Sequence, residues 1–304
     1  MTKRNISIWM EAVRLRTLPL ALSSIITGST LAWFDGAFHW RILMLALLTA
    51  VFLQILSNLA NDYGDAFKGT DNADRIGPSR AVQSGSITPA QMRKGIAFTA
   101  FAAIFTGTWL IREGLSGLPL IDYIAFLFLG LVSVIAALTY TLGKKPYGYS
   151  GLGDIAVFLF FGFTGVLGTY FLHRHELSWG AVLMAAVIGL FSMGVLNLNN
   201  MRDMENDRRC GKITIAVKLG LAGAKTYHSL LIISGLLGAT VFTALNFKSA
   251  GQLAIFLIFP VFIRDIHAVS KIKDHRGLDI FLKKLALSTF IFSILFGIGL
   301  VLHL

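Results

Sequence analysis

Apolar runs close to 20 residues long recur along this chain, and no other feature limits its fold as strongly. Wound as an α-helix, about 20 residues cross the hydrocarbon core of a bilayer. Lipid offers no hydrogen-bond partners, so such a segment must satisfy its backbone internally, as a helix does. Nine apolar cores can be delimited: Leu18–Phe34, Ile42–Ala60, Ile96–Ile111, Leu118–Leu142, Leu152–Leu172, Leu177–Met201, Thr226–Phe247, Gln252–Ile263 and Leu285–Leu302. The eighth is short and contains Pro260. Composition points the same way: 55% of residues are hydrophobic and 14% charged, against about 25% charged in ordinary soluble domains. Too few charges are present to coat a globular surface. Disorder, a collagen-like fibre and a disulfide scaffold are excluded, the last because Cys210 is the only cysteine.

The formal net charge of +11 raises the question of nucleic acid, but membrane proteins place Lys and Arg on cytoplasmic loops. Under nine spans, all but four of the 27 basic residues fall on one side; the exceptions are Arg41, Arg112, Arg174 and Lys248. That asymmetry supports the span count, predicts a cytoplasmic N-terminus and an outer C-terminus, and leaves no need for a nucleic-acid partner. Lys3 and Arg4 precede apolar residues as in a signal peptide, yet Glu11, Arg14 and Arg16 interrupt the run, so no cleaved signal is expected. The expectation is an all-α polytopic membrane protein in the lipid bilayer. About nine transmembrane helices would surround a central cavity opening near the cytoplasmic face, as a single domain over residues 1–304.

Two acidic segments fall on that face. The first, NLANDYGDAFKGTD, runs from Asn58 to Asp71. Continued as a helix, it puts Asn58, Asn61, Asp62 and Asp65 at i, i+3, i+4 and i+7, on one face. The second, NNMRDMENDRRCGKIT, runs from Asn199 to Thr214, with Asp203 and Asp207 at i and i+4 and Asn199 one turn earlier. Either alone also has a plainer reading, a helix end emerging into solvent. Two on one membrane side, where ionisable groups are costly, imply a shared partner. Carboxylates and amide carbonyls are hard oxygen donors, suited to Mg²⁺ rather than zinc, and Mg²⁺ is commonly kept by a few carboxylates plus substrate phosphates. A diphosphate is the ligand this implies. Lys68, Arg75 and Arg80 follow the first segment, and Arg202, Arg208 and Lys212 accompany the second. Lys68, Arg80, Arg202 and Lys212 are candidate diphosphate contacts, though the cytoplasmic excess of basic residues would put some there anyway.

Other features carry less. N-L-x-N occurs at Asn58–Asn61 and again at Asn197–Asn200, four spans apart, hinting at a weak repeat of spans one to four and five to eight. Tyr140 precedes the turn-rich GKKPYGYSGLGD, and with Asn199 it is a candidate contact for an aromatic ring or cation. Tyr147 and Tyr149 read as ordinary interfacial tyrosines, and Asp154 as an ordinary helix-opening acid. Phe158, Phe160, Phe161 and Phe163 read as lipid-facing or packing residues, and His173 and His175 as solvated. No Walker loop, HExxH or Cys/His zinc spacing occurs.

With these residues in view, the chain resembles the UbiA superfamily of intramembrane prenyltransferases over essentially its whole length. The resemblance rests on two Asp-rich motifs after the second and sixth of about nine helices. NDYGDAFKGTDNADRIGPSRAVQSG, YGYSGLGD and NNMRDMENDRRCGK further resemble the branch acting on 1,4-dihydroxy-2-naphthoate in menaquinone synthesis. It implies transfer of a polyprenyl group from polyprenyl diphosphate to that ring, with loss of diphosphate and CO₂. It also implies Mg²⁺ held by Asn58, Asp62, Asp65, Asp203 and Asp207, the four aspartates being catalytic, and a bacterial inner-membrane location. The superfamily's usual third acid of the first motif falls where this chain has Gly69; Asp71 lies two residues on. The rivals are the same chemistry on another acceptor such as 4-hydroxybenzoate or haem, and an ion-coupled transporter. Acidic clusters at helix ends rather than mid-span argue against the transporter.

Overall fold

The computed structural model describes residues 3–72, 76–78 and 80–302; Arg75 lies outside them. Among the described residues the secondary structure is helical, and nine helices are long and apolar enough to cross a membrane. A short amphipathic helix, α1 (Lys3–Val13), lays Ile8, Trp9 and Ala12 against Leu59, Ala81, Ile87 and Met92. Arg14, in the left-handed region at φ 54°, breaks the chain before α2 (Leu18–Phe34), whose first turn carries Pro19. There a missing N–H costs no helical hydrogen bond.

Helix α3 (Trp40–Lys68) ends at Gly69, whose φ of 72° suits glycine, and the following Thr70 N–H returns to the Asp65 carbonyl. Thr88 and Gln91 form a reciprocal capping box at the start of α4 (Pro89–Gly114), a device worth about 1 kcal/mol. Next come α5 (Leu120–Thr139) and a 3₁₀ turn at Tyr147–Tyr149.

The fifth span departs from a plain α-helix. Between α6 (Gly153–Val157) and α7 (Thr169–Arg174), residues Phe158–Gly168 form a π-helix. Its widened backbone lies so close to α2 that a Cβ on Gly28 would sit 2.4 Å from the Val166 carbonyl oxygen. Small residues at the crossing, Gly28 and Ser24 on α2 and Gly165 on the π-helix, permit that approach.

Helix α8 (Trp179–Arg202) is the central span, and a short α9 (Met204–Arg209) continues its second acidic segment. The seventh span begins earlier than its apolar core: α10 runs Ile215–Leu245 with a break at Gly220, φ 67° and ψ 171°. The eighth also differs. A 3₁₀ stretch, Ala250–Leu257, leads into α11 (Phe259–Lys271), which accommodates Pro260 in its first turn and continues past Ile263. Helix α12 (Leu278–Val301) closes the bundle.

The main core joins α8, α10, α11 and α12, where the Phe191 ring stacks on Phe262 at 4.8 Å and meets Phe292 edge-on at 5.4 Å. Gly235 makes room for Phe191. The outside is the reverse of a soluble protein's: Phe98, Phe101, Phe128, Leu120 and Leu237 are all more than half exposed. Apolar exposure on this scale is a lipid-facing surface. Trp40 and Trp179 are exposed at the starts of α3 and α8, the helix-end placement favoured by interfacial tryptophans.

Candidate active site

The two acidic segments meet. Asn206 of α9 donates its amide to the Thr70 carbonyl at 2.7 Å, and the Cys210 thiol lies 3.4 Å from the Gly69 carbonyl. The loop after α5 folds between them, and the Ile213 N–H donates to the Tyr149 carbonyl at 3.0 Å. One polar assembly therefore joins the ends of α3 and α8 and the α5–α6 loop.

Asp62 and Asp65 are buried on one face of α3, as their spacing requires. The Asp62 carboxylate accepts the backbone N–H groups of Ala81 (3.0 Å) and Val82 (3.1 Å), pinning the α3–α4 loop. Asp65 accepts the Tyr149 hydroxyl at 2.7 Å and lies 3.8 Å from the Arg80 guanidinium. Because a carboxylate only accepts, Tyr149 is the donor to Asp65, so Thr70 donates to Tyr149. Asp71 is buried 3.4 Å from Arg80 Nε. Arg80 Nη1 is buried with no hydrogen-bond partner among the described residues, a donor suited to an incoming anion.

On the second segment, Asp207 faces Lys212 Nζ at 3.6 Å, and the same ammonium lies 5.5 Å from the centre of the Tyr149 ring. Burial alone would push Lys212 towards its neutral form. The negative charges of Asp65 and Asp207 outweigh that and hold its pKa above the ordinary lysine value, so it bridges the two acidic segments as a cation. Tyr149 is driven above the ordinary tyrosine range by burial and by Asp65, which keeps its proton in place. Asp203 is buried and gripped by Arg202 through two hydrogen bonds, 3.0 and 2.7 Å.

Other candidates sit differently. The Asn58 amide nitrogen donates to the Val13 carbonyl and Thr17 hydroxyl at the α1–α2 break, and its oxygen accepts from Gln54. Asn199 accepts from Arg202 at 2.9 Å. Arg202 is committed to protein acceptors. Lys68 donates to the Lys144 carbonyl near the surface, and Tyr140 packs edge-on against Tyr147 with centroids 5.3 Å apart.

Three side chains read as ordinary are not. Tyr149 lies within the site. Asp154 is 3% exposed and accepts the Tyr227 hydroxyl at 3.2 Å, tying α6 to α10. His173, expected in solvent, is 2% exposed: its Nδ1 accepts the His39 N–H, which leaves Nε2–H to donate to Ser29. His175 is exposed, as a solvated loop histidine would be.

Among the described residues no three carboxylate, imidazole or thiol groups converge as a preformed metal centre would. The donor set nevertheless fits Mg²⁺ shared between protein and diphosphate. Such a metal needs few carboxylates, and both segments bring buried carboxylates, Asp62 and Asp65 from one and Asp203 and Asp207 from the other, beside Arg80, Arg202 and Lys212.

Replacing Tyr149 with phenylalanine removes the bond to Asp65 while keeping the ring under Lys212. The expected cost is about 1–2 kcal/mol of stability and about tenfold in kcat/KM, both measurable on detergent-purified protein. An unchanged KM for the diphosphate substrate would place Tyr149 outside the site.

Among the described residues, a helical bundle with nine helices long and apolar enough to cross a membrane brings two Asp-rich segments and buried cations together. The chain belongs to the UbiA prenyltransferase family, whose model matches residues 21–294. It is 40% identical over 305 residues to the 1,4-dihydroxy-2-naphthoate octaprenyltransferase of Escherichia coli K12, covering 99% of this chain and 98% of that one. Identity to the Haemophilus influenzae protein of the same name is 39%, covering 99% and 98%. Among solved structures, a UbiA homolog from Aeropyrum pernix superposes with TM-score 0.67 at 17% identity, covering 92% of this chain and 99% of that one. One from Archaeoglobus fulgidus, solved with DMAPP and Mg²⁺ bound, gives 0.64 at 13%, covering 97% and 99%.

Proposed function

We propose that this protein transfers a polyprenyl group from polyprenyl diphosphate to 1,4-dihydroxy-2-naphthoate, releasing diphosphate and CO₂ and giving the quinol form of demethylmenaquinone, which becomes the quinone only when a separate oxidant removes two electrons. The observation that carries the reading is 40% identity, end to end, to the E. coli enzyme of that name. The meeting of both acidic segments supports it.

Asp62, Asp65, Asp203 and Asp207, with Asn58, are the residues that would hold Mg²⁺, which when bound neutralises charge developing on the departing diphosphate. Arg80 and Lys212 bind diphosphate oxygens from opposite sides, with Lys68 at the entrance. The allylic C–O bond breaks, its electron pair leaves with diphosphate, and the electron-rich ring attacks the allylic carbon at the carboxyl-bearing position. Loss of CO₂ returns the C–C electron pair to the ring. Tyr140 and Asn199 contact the acceptor or flank the cation-like carbon. Apolar walls around a central chamber exclude water, which would otherwise quench that carbon. The location is the bacterial inner membrane, with the site and N-terminus cytoplasmic and the C-terminus outside. Asn58 and Asn197 each donate to a backbone carbonyl, of Val13 and Ala224, which supports a weak repeat within the single domain.

The test is a detergent-solubilised assay with polyprenyl diphosphate, dihydroxynaphthoate and Mg²⁺, read by mass spectrometry. A prenylated naphthoquinol lacking the mass of CO₂, or the quinone it forms on oxidation by air, is expected, abolished by EDTA and restored by excess Mg²⁺. Prenylation of 4-hydroxybenzoate instead would overturn the acceptor. Silence with every aromatic acceptor would overturn the reaction.

A further inference from the structure

Arg202 heads the largest side chains that are almost wholly buried, at 2% exposure. All three guanidinium nitrogens are engaged. Nε and Nη2 grip the two oxygens of Asp203, Nη2 also reaches Asn199, and Nη1 donates to Asp279 at 2.6 Å. Asp203 and Asn199 belong to the second acidic segment, but Asp279 lies in the first turn of α12, the last span, and is the sole acid in that helix. Its second oxygen takes Lys283 at 3.0 Å. Just before it, the His275 ring donates from Nδ1 to the Met201 carbonyl at 2.8 Å. The start of α12 thus holds the end of α8 at two points.

A guanidinium is planar, and its donors form a rigid fork. Held only by Asp203 and Asn199, both on its own segment, that fork would still move with the end of α8 and carry the carboxylate with it. A third acceptor on another helix fixes its plane. We propose that Asp279 is a positioning residue: through Arg202 it sets the orientation of the Asp203 carboxylate within the diphosphate site. The inference rests on reading Asp203 as part of that site. A plain architectural tie is a weaker account, because α12 is already anchored by Phe292 and Phe296 in the main core.

A double-mutant cycle separates these roles. The full-length protein in detergent is titrated, in the presence of Mg²⁺, with farnesyl thiolodiphosphate, whose C–S bond resists ionisation; unfolding temperature is recorded for each variant. Asp279→Asn is expected to weaken binding about tenfold in the wild-type background, as loss of a supporting contact behind a ligand does. In the Asp203→Asn background it should cost less than about twofold, because the group being oriented is already altered. Equal losses in both backgrounds would make the contact an architectural tie and overturn the proposal, as would no loss in wild type. Should Asp279→Asn fail to fold, Asp279→Glu takes its place, with about threefold expected in wild type and none in Asp203→Asn. Tight probe binding by Asp203→Asn itself would remove the site reading beneath the inference rather than the coupling.

Discussion

Asp62→Ala is expected to lower turnover by about 10²–10³-fold or more and to loosen the α3–α4 loop at the same time. Its carboxylate occupies two roles. It lies among the acids proposed to serve the diphosphate, and it accepts two backbone N–H groups, the buried one of Ala81 and the half-buried one of Val82. Each N–H left without an acceptor costs about 1–3 kcal/mol, so the unfolding temperature falls along with activity. Asp62→Asn separates the two effects: the amide oxygen can still accept one N–H, while its NH₂ meets the other donor head-on. That variant should keep more stability than alanine yet remain as inactive. Limited proteolysis between Arg80 and Thr88 reports the loop, and product formation reports the site. Near-normal activity in both purified variants would remove Asp62 from the chemistry.

Lys212→Met carries the second large effect. The ammonium lies between the two acidic segments, so its loss leaves Asp65 and Asp207 facing each other across one buried region. Removing one member of a buried pair costs about 3–5 kcal/mol, and loss of the diphosphate cation adds about 10²–10³-fold in kcat/KM. Mg²⁺ with diphosphate should raise the unfolding temperature of Lys212→Met more than that of the wild type, because added cations replace the missing one. An equal rise in both proteins would show that Lys212 does not balance the acids. The raised pKa of Lys212 sets the pH window. Its contribution is fully present below the ordinary lysine value of about 10.4 and is lost only as pH climbs through the higher folded value. Between pH 6 and about 9 no loss of stability or rate should trace to this group.

Much of this was legible from residue order. Nine apolar stretches and the one-sided placement of Lys and Arg define the spans, because bilayer thickness imposes a length that globular folding does not. The two acidic segments stand out as a pair: one charged helix end is ordinary, whereas two on the same membrane side call for a shared partner. The π-helix of the fifth span was not legible. Phe158–Gly168 is a near-continuous apolar run, and no periodicity distinguishes a wide turn from a normal one until Gly28 and Ser24 bring a neighbouring helix against it. Tyr149 escaped notice because interfacial tyrosines are common, and its value comes from a fold-back that sets Asp65, Thr70 and Lys212 around it. Its place in a turn on the same side as both acidic segments was the available hint. Arg202 read as a phosphate ligand because charge is visible in a sequence, whereas its capture by Asp279 depends on the return of the last helix. His173 and Asp154 were misjudged alike: partners from distant helices, Ser29 and Tyr227, make their burial tolerable.

The unequal exposure of the helices has a consequence for handling this protein. Of the apolar stretch in α5, 11% is buried, against 67% in α8. One half of the bundle is held by its own side chains, while α5 leans mostly on whatever surrounds it. Lipid or detergent therefore covers most of α5 and far less of α8. Asp62 and Asp65 stand on α3, where 28% of the apolar stretch is buried, and Asp203 closes α8; exchanging lipid for detergent is expected to disturb the first acidic segment before the second.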